Sequence, residues 1–133
     1  MRINYKLYFM FIVLLISLFL IDTPVKAVGN NRVINQTSMY SMKGLTWYMV
    51  AGQKKYSSSF YVEAGESIVI SVAPSVSSAK YNVGIYQPSG SERKMTKSGS
   101  TVTSYSVSTS GYYKVFIYNA NSTAVDYAIS YAY

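Results

Sequence analysis

Apolar and polar side chains alternate in short runs over most of the chain, and no run carries the three-to-four-residue apolar stripe of a helix. Residues 67–73 place Ile68, Ile70 and Val72 on one side and Ser71 on the other. Residues 80–87 do the same with Tyr81, Val83 and Ile85, and residues 123–133 with Val125, Tyr127, Ile129 and Tyr131. Residues 45–51 and 56–62 read as strands, the second with Phe60 and Val62 on one face. Residues 101–107 alternate weakly, with Tyr105 and Val107 inward, and the charged run 92–97 reads as an edge strand. The fullest pattern is 111–119: Tyr113, Val115 and Ile117 share one face, and Tyr112, Lys114, Phe116 and Tyr118 share the other.

Turn chemistry separates these runs. Glu63-Ala64-Gly65-Glu66 and Pro88-Ser89-Gly90-Ser91 each offer a glycine where a tight turn needs positive φ. Residues 52–55, 74–79, 98–100 and 119–122 are further breaks rich in Gly, Pro, Ser and Asn. Short strands with regular turns predict an all-β fold, an antiparallel β-sandwich of jelly-roll type.

The N-terminus has a different pattern. Arg2 and Lys6 precede an apolar run at 7–21, Pro24 ends it, and Val25-Lys26-Ala27 supplies small or modest residues. This is the order of a secretory signal peptide, with cleavage expected after Ala27. The run is shorter than the ~18–20 residues that cross a bilayer. The expected organisation is therefore a signal peptide at 1–27, an N-terminal arm or first strand at 28–44, and the sandwich at 45–133. The expected location is extracellular.

Charge and composition limit the chemistry. The sequence contains no Cys and no His. Ser-His-Asp and Cys-His nucleophiles and the usual zinc, copper and iron ligand sets are thereby excluded. Beyond residue 27 the acids are Glu63, Glu66, Glu92 and Asp126; Glu63 and Glu66 form the one close pair, in an exposed turn that gives no reason for a raised pKa. Asn119, Asn121 and Asp126 lack the spacing of a calcium loop. The sequence thus predicts no enzyme, metal or cofactor. Its net charge of +7 favours anionic partners. No more than two basic residues are adjacent, and so no nucleic-acid partner is expected.

Tyrosine is the outlying component, with 15 in the chain. Those in phase with the core are predicted buried. Tyr61, Tyr86, Tyr112 and Tyr118 take the opposite phase, with Phe116 and Lys114. If that face is open it presents aromatic rings and a positive charge to a ligand, and Tyr86, Tyr112, Lys114, Phe116 and Tyr118 are the predicted binding residues.

The order Phe-x-Val-x-Ala-Gly-Glu-x-Ile-x-Ile-x-Val (60–72), Tyr-Asn-Val-x-Ile-Tyr-x-Pro-Ser-Gly (81–90), Gly-Tyr-Tyr-x-Val-x-Ile-Tyr-Asn (111–119) and Val-x-Tyr-x-Ile-x-Tyr (125–131) resembles the bacterial pre-peptidase C-terminal domain family. The resemblance implies an accessory β-sandwich of secreted enzymes, linked to binding or secretion and without catalytic residues. Residues and resemblance together predict a secreted, non-catalytic binding module for an anionic cell-wall polymer, a glycan or a membrane surface. Two alternatives are a membrane-active antagonist of the bacteriocin or toxin kind and a self-assembling surface or matrix protein.

Overall fold

The computed structural model describes residues 41–133. The expected signal peptide, its expected cleavage point and the arm up to residue 40 lie outside the described residues. Nine strands form: β1 (Met42–Met49), β2 (Lys54–Tyr56), β3 (Phe60–Val62), β4 (Ser67–Pro74), β5 (Lys80–Tyr86), β6 (Glu92–Ser98), β7 (Thr101–Ser106), β8 (Gly111–Asn119) and β9 (Val125–Ala132). β1 begins three residues before the predicted sandwich start. No helix occurs among the described residues.

Two antiparallel sheets result, in the orders β1-β9-β4-β7 and β2-β8-β5-β6, with β3 also on β8. Counting β2 and β3 as one interrupted strand, the pairs β1·β9, β2/β3·β8, β4·β7 and β5·β6 are those of a long hairpin rolled into two layers. This is the double Greek key of an eight-stranded jelly roll. The predicted all-β sandwich is the observed fold.

The strands take these phases because each must bury one face. Ile68, Ile70, Val72, Tyr81, Val83, Ile85, Val115, Ile117, Tyr127 and Ile129 fill the space between the sheets. Tyrosines take much of the core volume, and each fully buried hydroxyl has a partner, as buried phenols require. Tyr81 donates to the Gly99 carbonyl (2.8 Å), Tyr105 to the Val83 carbonyl (2.8 Å) and Tyr127 to Asn119 Oδ1 (3.0 Å). Tyr81 and Tyr127 meet edge to face across the sheets, at 5.5 Å and 71°.

Two expectations fail. Residues 52–55, expected as a break, include the first two residues of β2. Residues 56–62 are not a single strand but the end of β2, a break at Ser57, and β3. The register shows why. Tyr56 faces Phe116 and Phe60 faces Tyr113, so three residues on one strand oppose two on β8. That is a β-bulge. Ser57 fixes it: its N–H donates to the Val115 carbonyl (2.8 Å), and its hydroxyl accepts the Val115 N–H (2.9 Å). The extra residue shifts the phase, so Tyr56 and Tyr61 point to the same outer side despite their odd spacing.

Candidate functional site

The outer face of the β2/β3-β8-β5-β6 sheet carries the chemistry that the core leaves over. Strand register puts Lys54, Tyr118, Asn82 and Thr96 in one row, and Tyr56, Phe116, Gly84 and Lys94 in the next. Lys114, Tyr86 and Glu92 form a third row, and Tyr61 and Tyr112 a fourth at the β3 end.

The second row is closed over. Gly84 offers no side chain, and the Phe116 ring lies in the space thus left: a β-carbon there would sit 2.7 Å from its Cε1 and Cζ. Above Phe116, Lys54 places its ammonium 4.9 Å from the ring centroid and Tyr56 packs at 5.6 Å. Both side chains continue across β8 and β5 to one carboxylate on the far edge strand. Lys54 Nζ lies 2.9 and 3.1 Å from the two Glu92 oxygens, and Tyr56 donates its hydroxyl to Glu92 Oε1 at 2.6 Å. Phe116 is in consequence 0 % exposed on a face that points to solvent.

This bridge perturbs its own members. The Tyr56 hydrogen bond, and after it that of Lys54, holds the Glu92 carboxyl below the ordinary glutamate value. The same bonds to Glu92 raise the ammonium of Lys54 and the phenol of Tyr56 above theirs.

Beside the bridge the face is open. A shallow cleft of about 150 Å³ is lined by Lys54, Asn82, Lys94, Phe116 and Tyr118. At the other end Tyr61 and Tyr112 are 50 % and 66 % exposed and meet edge to face at 5.5 Å and 73°. The six residue-to-residue steps along β8 from Tyr118 to Tyr112 span about 20 Å at ~3.4 Å each.

Of the predicted binding residues, Tyr86, Tyr112, Lys114 and Tyr118 do share this face, Tyr112 exposed and the others half-buried. Phe116 shares the face but is not available to a ligand as an open ring, because Lys54 and Tyr56 cover it. Sequence reasoning missed Lys54, Tyr56, Asn82, Glu92 and Lys94. Asn82 and Lys94 carried a usable signal, since each is in outward phase on a predicted strand. Lys54 carried none, because residues 52–55 read as a break, and Tyr56 carried none, because the bulge hides its phase.

The other polar groups considered are structural. Asn119 is fully buried and donates to the carbonyls of Met49, Val50 and Thr123, while its oxygen accepts from Asn121 and Tyr127. Its amide ties β1, β8 and β9 together. Glu66 accepts the Glu63 N–H within its turn (2.9 Å). Among the described residues no three His, Cys, Asp or Glu side chains cluster.

No family model matches the chain, and no curated protein sequence matches it. Likeness appears among solved structures. A periplasmic inhibitor of g-type lysozyme, PliG from Aeromonas hydrophila, superposes with a TM-score of 0.52 at 14 % identity, over 68 % of this chain and 83 % of that one. The SPBc2 prophage-derived protein YomS gives 0.43 at 12 % identity, over 77 % of this chain and 100 % of that one. A de novo designed double-stranded β-helix gives 0.41 at 10 %, over 67 % and 97 %. At these identities the likeness is one of fold, and the fold shared with the inhibitor is a β-rich sandwich.

Proposed function

We propose that this protein is a secreted, non-catalytic binding module that engages an extracellular or cell-envelope polymer through the outer face around β8. The observation that carries the reading is the exposed Tyr61–Tyr112 pair, set on the same face as Lys54, Lys94 and Lys114. Exposed aromatic rings in mutual contact are a feature of interaction surfaces. Their faces suit sugar or polyol carbon, and the lysines suit its anionic substituents. The absence of His and Cys and the lack of an acidic cluster among the described residues support a non-catalytic role. The strand-and-turn resemblance to accessory domains of secreted enzymes supports it as well.

The test is a screen of the chain from residue 28 against cell-wall polymers and glycans, with Tyr112→Ala as control. At least one polymer should bind, and Tyr112→Ala should weaken it about fivefold or more while leaving the melting temperature unchanged. Failure of every polymer to bind would overturn the reading. A second reading, with a cell-wall hydrolase as partner, draws on the sandwich shared with the lysozyme inhibitor. Adding a g-type lysozyme to the same screen separates the two.

A further inference from the structure

We propose that the cleft between Lys54, Lys94, Asn82 and Tyr118 binds the phosphate of a poly(polyol phosphate) chain, whose next units run along β8 toward Tyr112 and Tyr61. This assignment rests on the function proposed above and names its ligand class.

The lining of the cleft is the first argument. Four strands each contribute one polar side chain: Lys54 from β2, Tyr118 from β8, Asn82 from β5 and Lys94 from β6. No carboxylate lines it. Asn82 already spends its oxygen on the Thr96 hydroxyl (2.9 Å), which leaves its amide N–H groups as the free end. The cleft therefore offers two ammonium groups, an amide and a phenol, nearly all donors. A neutral sugar hydroxyl donates as well as accepts and would find only the Tyr118 oxygen and water to take its hydrogen here. A phosphate diester only accepts, and charge-assisted bonds from ammonium groups are the stronger kind. The donors also come from four different strands. A tetrahedral group can direct oxygens to several of them at once, whereas a carboxylate holds both oxygens in one plane.

The layout of the face points the same way. The exposed Tyr61–Tyr112 pair stands about 20 Å along β8 from the cleft, at ~3.4 Å per residue, with Lys114 between. A single small anion would leave those rings unused. An extended polymer uses both ends, its carbon backbone lying on the rings. Such rings stack bases as well as sugars, and it is the lack of a run of basic residues that favours a polyol over a nucleic acid.

Glu92 sets the sign of a sharp test. It holds Lys54 through both carboxylate oxygens at the rim and competes with any arriving anion. Glu92→Gln releases that ammonium. Poly(glycerol phosphate), uncharged dextran, polygalacturonate, single-stranded oligothymidylate and phosphatidylglycerol vesicles are titrated against the wild-type chain, Lys94→Ala and Glu92→Gln, all first shown to be fully folded at the assay temperature. Poly(glycerol phosphate) should bind best, Lys94→Ala should weaken it about three- to fivefold, and Glu92→Gln should tighten it by a similar factor. Binding to dextran alone would overturn the phosphate assignment and leave the binding face standing. Equal binding to polygalacturonate, oligothymidylate or vesicles would overturn the ligand class. Weakening by Glu92→Gln would overturn it too, because Glu92 would then be a ligand contact rather than a competitor. Binding to nothing would remove this assignment together with the function on which it rests.

Discussion

Gly84 and Phe116 face each other on neighbouring strands, and the ring of one fills the space that the other leaves empty. A β-carbon at Gly84 would also collide with the Arg93 carbonyl of β6. Neither contact involves a flexible side-chain end, so the backbone or the whole ring must move. Gly84→Ala should cost about 1–3 kcal/mol, the usual penalty of overpacking. Urea unfolding gives the value, and a cost below about 0.5 kcal/mol, the range of ordinary surface changes, would show that the ring is not held in this position.

Asn119 makes the opposite kind of contribution. Its amide satisfies three buried or part-buried carbonyls and the Tyr127 hydroxyl at once. Asn119→Ala leaves these groups without partners, and each unsatisfied buried group costs about 1–3 kcal/mol. We expect a total loss of about 3 kcal/mol or more, with the chain from residue 28 half-unfolded at markedly lower urea. A loss below about 1 kcal/mol would mean that water replaces the amide.

These two residues mark the limits of what a linear reading reaches. Strand phase in β4, β5, β8 and β9 was legible because period-two alternation is local, and it placed Ile68, Tyr81, Val115 and Tyr127 in the core correctly. The sandwich class followed from the short strands and turn spacing, whereas the strand order came only from the cross-strand pairing. The cover over Phe116 was not legible. It depends on a bulge at Ser57 that reverses the phase of Tyr56, and on a bond between Lys54 and Glu92, 38 residues apart. Alternation says which side a ring points to; only cross-strand neighbours decide whether that side is open.

Alkaline pH should destabilise the fold through its buried phenols. Burial pushes Tyr127 up to about 12, and raises Tyr81 and Tyr105 as well. In the unfolded chain these groups ionise near 10. Between about pH 10 and 12 the unfolded state therefore binds fewer protons than the folded one, and stability falls as pH rises. Absorbance at 295 nm should show a late tyrosine step that coincides with loss of the β-sheet circular dichroism. Tyr127→Phe costs about 1 kcal/mol at neutral pH through its lost hydrogen bond, but its alkaline decline should be shallower. An equal decline in both proteins would place the sensitivity elsewhere.

Acid pH acts on the bridge over Phe116, with the opposite sign. Glu92 is held below the ordinary glutamate value, so its contribution to stability is present above about pH 4.5 and is lost as pH falls through the lowered folded value. The larger cause is the neutral donor, Tyr56 at 2.6 Å, rather than the cation Lys54 at 2.9 Å. The two causes respond differently to salt. An ammonium that is 34 % exposed is screened by ions, whereas a short hydrogen bond from a phenol is not. Titration of the Glu92 carboxyl carbon by NMR should therefore give a lowered pKa that persists in 1 M salt in the wild type. In Tyr56→Phe the pKa should rise toward the ordinary value, and what depression is left should vanish in 1 M salt. If Lys54→Met instead restores the ordinary value while Tyr56→Phe does not, the ammonium is the dominant partner, and the cover over Phe116 is an ion pair with a phenol beside it.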